Sequence, residues 1–240
     1  MKAYFFTNEK LASFLATNHF ANLDRVFGIG GGGDFAFNLL ALHAPTQIIL
    51  CDNNLRAVSA AHFKINLIKH STHDEFLSFL SSEKLRTIKK SKQYYPDSFK
   101  AAAHINDYLA YLSSPEKYLV SQQTIKNVEV ILGDFTAELE KQTSDFELIY
   151  LSNLLETKLC RTPGYVLDIC RAHLSDEGKI VFASQDTPKI VERFLSKNSF
   201  TQIASEIHAF STLQAILGHY SYSFYLCKPT EPSIHPHPRS

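Results

Sequence analysis

Short apolar runs that end in an acid alternate with stretches where apolar residues return every three or four positions. The first kind reads as buried parallel strands, the second as amphipathic helices. Gln47-Ile48-Ile49-Leu50-Cys51-Asp52 is the clearest strand. Leu55–Lys69 is the clearest helix, with Val58, Ala61, His62, Ile65 and Ile68 on one side. The pattern predicts further strands over Arg25–Ile29, Asn127–Leu132, Phe146–Leu151 and Lys179–Ala183, and helices over Asp34–Leu42, Phe135–Glu140, Thr162–Leu174 and Ile190–Lys197.

Three regions break the rhythm. The first 24 residues read as a helix or two with an apolar side made by Phe5, Phe6, Leu11, Phe14 and Leu15. Between about 71 and 126, helical segments (Glu75–Leu80, Leu85–Lys90, Phe99–Leu112) follow one another without a strand, as in a helical insert that covers a pocket. Near the end, Phe200–Ile207 and Ser221–Cys227 are β-like with little helix between them, which predicts a C-terminal antiparallel strand. Residues 25–228 thus form one α/β domain of Rossmann-like type, its sheet mostly parallel with helices on both faces. Residues 229–240 carry Pro229, Pro232, Pro236 and Pro238 and are expected to be a flexible tail.

Composition narrows the class. The chain has 240 residues, 45% of them apolar, enough for a sizeable core. Lys+Arg and Asp+Glu each number 24, so no basic excess points to nucleic acid. Cys51, Cys160, Cys170 and Cys227 show neither disulfide nor metal spacing, the usage of a reducing compartment, and a cytoplasmic protein is expected. No apolar stretch approaches a membrane span, and no stable membrane association is expected. A homodimer is left open. The segment Glu83–Lys100 concentrates six basic residues against Glu83 and Asp97, most simply a solvated helix face. His70 and His73 are not completed into a ligand set, so no metal is expected.

The candidate chemistry begins with glycine. Five of the nine glycines, Gly28, Gly30, Gly31, Gly32 and Gly33, fall in six residues between the first strand and a helix that opens with Asp34. Such a loop turns sharply and lets a ligand touch main-chain atoms. Gly28-Ile29-Gly30-Gly31-Gly32-Gly33 satisfies G-x-G-x-x-G, and Asp52 ends the second strand 19 residues past Gly33. The pair suits a dinucleotide or any ligand with a ribose diol. Downstream, Val128–Leu132 runs into Gly133-Asp134-Phe135. There Asp134 can accept from an adenine amino group while Phe135 packs on the purine, or Asp134 can simply cap a helix. The fourth strand runs into Ser152-Asn153-Leu154-Leu155-Glu156, where Ser152 and Asn153 can orient a reacting group and Glu156 can hold an ammonium or take a proton.

These features suit the layout of class I S-adenosylmethionine (SAM)-dependent transferases, the class I methyltransferase fold. Gly32-Gly33-Asp34-Phe35-Ala36, Cys51-Asp52-Asn53-Asn54, Phe63-Lys64-Ile65-Asn66-Leu67-Ile68, Glu75-Phe76-Leu77, Gly133-Asp134-Phe135 and Leu151-Ser152-Asn153-Leu154-Leu155-Glu156 carry a closer likeness. Over residues 25 to 160 the chain resembles, in short pieces, the 3-amino-3-carboxypropyl transferases related to betaine-lipid synthase. Phe35, Asn53 and Asn153 differ from that family's usual Asn, Leu and Asp. The shorter length suits its small-molecule relatives, nicotianamine-type synthases and azetidine-forming cyclases. The resemblance implies transfer, or internal cyclisation, of the 3-amino-3-carboxypropyl group of SAM with release of methylthioadenosine, onto a small-molecule acceptor or within SAM alone. It implies the glycine loop and Asp34 for the amino-acid end of SAM, Asp52 and Asn53 for the ribose, Asp134 and Phe135 for adenine, and Ser152, Asn153 and Glu156 for the reacting group. A small-molecule methyltransferase, a NAD-dependent oxidoreductase and a non-enzymatic nucleoside-binding module are the alternatives.

Overall fold

The structure, a computed structural model, describes residues 11–81, 109–152, 154–155, 162–184, 188–207 and 223–230. Seven strands follow the chain as β1 (Arg25–Ile29), β2 (Gln47–Asp52), β3 (Val128–Leu132), β4 (Phe146–Tyr150), β5 (Leu174–Ser184), β6 (Phe200–Ile207) and β7 (Ser223–Pro229). They hydrogen-bond in the order β3-β2-β1-β4-β5-β7-β6. The helices of the described residues are α1 (Leu11–Leu15), α2 (Asp34–His43), α3 (Leu55–His70), α4 (His73–Ser81), α5 (Pro115–Thr124), α6 (Phe135–Glu140), α7 (Pro163–Ala172) and α8 (Pro188–Lys197). The mostly parallel α/β sheet with an antiparallel C-terminal strand is therefore present.

The chain divides into two compact units, Met1–Asp24 with Ile29–Phe135, and Arg25–Gly28 with Thr136–Ser240. In the first, β2 and β3 pair in parallel from Ile48 opposite Val128 to Asp52 opposite Leu132. Helix α2 is buried from Asp34 to Leu40, and α1 packs on it with Leu11, Phe14 and Leu15 inside. Burying each such Leu or Phe stabilises by about 1.5–3 kcal/mol. Helix α3 begins at Asn54, whose side chain accepts from the Arg56 N–H, and lays Ala57, Val58, Ala61, Lys64, Ile65 and Ile68 inward. The inward stripe thus takes Lys64, whereas His62, which the spacing placed on that side, is exposed.

The described part of the helical region between 71 and 126 contains no strand. Its second half contributes to the core of this unit. Leu109, Ala110, Tyr111 and Leu112 are buried, and α5, started by Ser114 and Pro115, buries Tyr118. The spacing had not marked α5, because its apolar residues are few. The expected helix Leu85–Lys90, the basic run 83–100, Cys160 and residues 231–240 lie outside the described residues, as do residues 1–10.

In the second unit, Val26, Phe27 and Gly28 of β1 stand in register with Leu148, Ile149 and Tyr150 of β4. Phe27 and Phe146 meet at 5.5 Å between ring centroids, and the Arg25 guanidinium lies over the Phe146 ring. Strand β5 is longer than predicted. Leu174, read as the end of a helix, pairs with Phe146, and the register then shifts before Leu148 pairs with Lys179. Gly178 sits inside that irregularity, where a Cβ would come within 2.8 Å of the Phe146 carbonyl oxygen. Strand β7 runs antiparallel to β5 from Ile180–Cys227 to Ser184–Ser223, and β6 closes the edge antiparallel to β7. Phe182 and Tyr225 stack across the β5–β7 pair.

Candidate functional site

The glycine-rich turn is an arc of left-handed backbone. Gly31, Gly32 and Gly33 have φ of 46°, 91° and 93°, a run that side chains with a Cβ rarely adopt. One carboxylate bonds to it directly and a second directly follows it in the chain. From the tip of β2, Asp52 accepts the Gly31 N–H through Oδ2 at 3.0 Å and the Asn54 N–H through Oδ1 at 2.8 Å. The Gly30 N–H donates to the Cys51 carbonyl and the Gly33 N–H to the Gly30 carbonyl. Gly31 is exposed with nothing within 4 Å of the direction a Cβ would take, while at Gly33 that atom would lie 2.6 Å from the Phe37 ring. One side of the arc is open and the other is packed.

The second carboxylate is Asp34, the first residue of α2 and only 1% exposed. Its Oδ1 accepts from Lys64 Nζ at 2.7 Å and from the Tyr111 hydroxyl at 2.9 Å. Lys64 is fully buried, and burial lowers its pKa against the opposing pull of Asp34. Its Nζ also stands 5.6 Å from the centre of the Phe37 ring, and Phe37 meets Tyr111 edge to face. Asn38, one turn along α2, accepts the Ala110 N–H at 2.7 Å. The carboxylate expected to meet the amino-acid end of a ligand is thus enclosed by a lysine and a tyrosine.

Other expected residues fall at the same end of β2 and β3. Asp52 is half-buried, and Asn53 beside it is exposed. Gly133 follows β3; its N–H donates to the Asp52 carbonyl and its carbonyl accepts from the Cys51 thiol. Asp134 is exposed immediately before α6, and Phe135 is buried as the first residue of that helix. Gly28 is a buried strand residue of β1 paired with Tyr150, outside the arc.

In the second unit Ser152 follows β4 with φ of 45°. A serine held in the left-handed region costs on the order of 1 kcal/mol and needs its surroundings to hold it there. They do so through the Ser152 carbonyl, which accepts the Ala183 N–H at 2.7 Å, beside a 2.8 Å bond from the Leu151 N–H to the Val181 carbonyl. Asn153 and Glu156 lie outside the described residues. Among the described residues no three His, Cys, Asp or Glu side chains converge as metal ligands, and no helix is long and apolar enough to cross a membrane.

Lys64 and Tyr111 were not among the expected site residues. Lys64 had left a signal, since it stands three after Ala61 and four before Ile68 on an apolar stripe, where a cation requires a buried anion. Tyr111 had left none.

No family model matches the chain, and no curated protein matches it in sequence. Solved structures do match. The precorrin-6y C5,15-methyltransferase of Geobacter metallireducens superposes with a TM-score of 0.52 at 12% identity, over 94% of this chain and 91% of that one. The ribosomal protein L11 methylase of Lactobacillus delbrueckii gives 0.51 at 13% identity, over 92% and 78%. An rRNA methylase of Streptococcus thermophilus gives 0.50 at 12% identity, over 92% and 94%. At such identities what is shared is the fold. The chain has the Rossmann-like fold of SAM-dependent methyltransferases.

Proposed function

We propose that the protein is a SAM-dependent transferase acting on a small molecule. The observation that carries this reading is the half-exposed Asp52 carboxylate, held at the tip of β2 beside the open side of Gly31. Each of its oxygens takes one backbone N–H and keeps a lone pair for a ribose hydroxyl. We assign Asn53, the next residue, to the same ribose, and Asp134 and Phe135 to adenine.

The dinucleotide alternative is less well supported. A pyrophosphate is held by loop N–H groups at a helix N-terminus. Here the N–H groups of Gly30, Gly31 and Gly33 donate within the protein, and a carboxylate, Asp34, opens the helix.

Two groups of SAM are candidates for transfer. Methyl transfer is favoured by the solved neighbours, each of the three named as a methyltransferase or methylase. Transfer or cyclisation of the 3-amino-3-carboxypropyl group is the second reading, favoured by the fragments between residues 25 and 160. In either case the sulfonium is already a good leaving group, so the protein's task is to hold the acceptor in line with the breaking sulfur–carbon bond. An amine or hydroxyl acceptor also needs a group to take its proton. Ser152, Asn153 and Glu156 are assigned to orienting the reacting group, Ser152 with the support of its left-handed backbone.

Calorimetry with SAM and NAD, followed by incubation with SAM and an acceptor panel, tests both levels. Binding of SAM or its thioether products without NAD binding supports the transferase, and S-adenosylhomocysteine as product supports methyl transfer. Methylthioadenosine instead would reverse the order of the two readings. No heat with SAM or either thioether would remove both.

A further inference from the structure

The enclosed trio Asp34, Lys64 and Tyr111 is unexplained by the site as described so far. A lysine with no exposure on an apolar helix face is costly to bury, and burial already lowers its pKa. An apolar residue of the same length would fill the space without that cost. What the ion pair supplies is direction. Asp34 directly follows Gly33, so whatever fixes its carboxylate fixes the exit of the left-handed arc. Asp52 fixes the entrance, at Gly31. Lys64 comes from α3 and Tyr111 from the buried segment ahead of α5, so two separate pieces of chain converge on one oxygen atom of α2. The Gly33 Cβ position leaves no slack, because Phe37 and Ala61 close on it at 2.6 and 3.3 Å.

We propose that Lys64 and Tyr111 are positioning residues for the bound nucleoside. By holding Asp34 beneath the turn they keep Gly31, Gly32 and Gly33 in the arc against which the sulfonium end of SAM is received. This deepens the transferase reading and rests on it for the identity of the ligand. Asp34 acts through its buried partners and not by touching the ligand. Residues beyond the glycine motif, including one from the helical region between 71 and 126, thereby set affinity at the motif.

The test uses the full chain with Tyr111→Phe, which deletes one hydrogen bond, and the double variant Asp34→Asn with Lys64→Met, which removes both buried charges together. Glycine labelled with 15N and carbonyl 13C picks out Gly31, Gly32 and Gly33, because only these follow another glycine. Their three resonances are expected to shift or broaden in both ligand-free variants, while the amides of Gly164 and Gly178 stay in place. Calorimetry below each melting temperature should show SAM binding weakened by about tenfold in Tyr111→Phe, the effect of one charge-assisted hydrogen bond. The double variant should lose more.

A purely structural role would lower the melting temperature and leave the three resonances and the affinity unchanged. Unchanged affinity in the folded variants, with the wild type binding SAM, overturns the proposal. If the wild type takes up no SAM, the transferase reading falls and the resonances alone decide. Movement in the variants then upholds the positioning role, and superposition with wild type removes it. Should the double variant not fold, Tyr111→Phe decides by the same criteria.

Discussion

The Asp52 carboxylate accepts the Gly31 N–H at 3.0 Å, joining the tip of one strand to the most exposed residue of the glycine turn. The bond shapes the turn before any ligand arrives. It also holds the carboxylate that we assign to a ribose diol.

Asp52→Asn should therefore separate binding from folding. The amide oxygen can still accept from Gly31 or Asn54, but it lacks the charge and the second carboxylate oxygen. SAM affinity is expected to fall by about 10- to 100-fold, the range of a lost charge-assisted hydrogen bond or two. Titration calorimetry beside a thermal melt checks this. A melting temperature that drops with no change in affinity would contradict it.

Neighbouring glycines should respond in opposite ways. Gly33→Ala pushes a methyl to 2.6 Å from the Phe37 ring at φ of 93°, so the packed side of the arc must give. A loss of about 2–4 kcal/mol in urea unfolding is expected, from overpacking and strain together. Gly31→Ala meets open space at φ of 46° and should cost only about 1 kcal/mol. Its methyl enters the volume assigned to the ligand, so binding should suffer more than folding.

Gly178→Ala tests the irregularity in β5. Its Cβ would lie 2.8 Å from the Phe146 carbonyl oxygen and 2.9 Å from the Leu174 side chain. Backbone cannot swing aside as a flexible side chain can. A destabilisation of about 1–3 kcal/mol in urea unfolding is expected, with SAM affinity retained in the folded fraction. Wild-type stability would show that the strands slide at no cost.

Two buried thiols make stability depend on pH. Burial pushes the pKa of Cys170 and of Cys227 far above the ordinary thiol value. Below about pH 8.5 both thiols hold their protons in the folded and unfolded states alike. Above it the unfolded chain releases protons that the native state keeps, so stability falls with rising pH, by up to about 1.4 kcal/mol per pH unit for each thiol. Urea unfolding at pH 8, 9 and 10 for the wild type and for Cys170→Ala with Cys227→Ala isolates the effect. The slope difference between the two proteins should appear only above about pH 8.5. A difference of equal size at all three values would exclude it.

Each of the seven strands was legible in the alternation of apolar runs and helical spacing, β1, β2 and β6 to the residue. Parallel strands buried on both faces advertise themselves by unbroken apolarity. The errors fall where a partner strand decides. Leu174 follows a helical stretch and reads as its end, yet Phe146 captures it into β5. Helix α5 is carried by Ser114 and Pro115 at its start and by two buried residues, Tyr118 and Ser121, too few for a stripe. The glycine turn, Asp52 and Asp134 were legible as motifs. Their surroundings were less so, because Asp34 reads identically whether its carboxylate faces a ligand or a lysine 30 residues away. Tyr111 lies 77 residues from Asp34, and no local spacing encodes that meeting.

The place of β7 bears on how the protein is made. Of the described strands it is last in the sequence, but it lies between β5 and β6 and bonds to both. Until the ribosome has released residue 229, β6 has no neighbour and the flank of β5 stands bare. Closure therefore waits on residues 223–229, and until they are made the nascent polypeptide carries two unpaired edges that chaperones would have to shield.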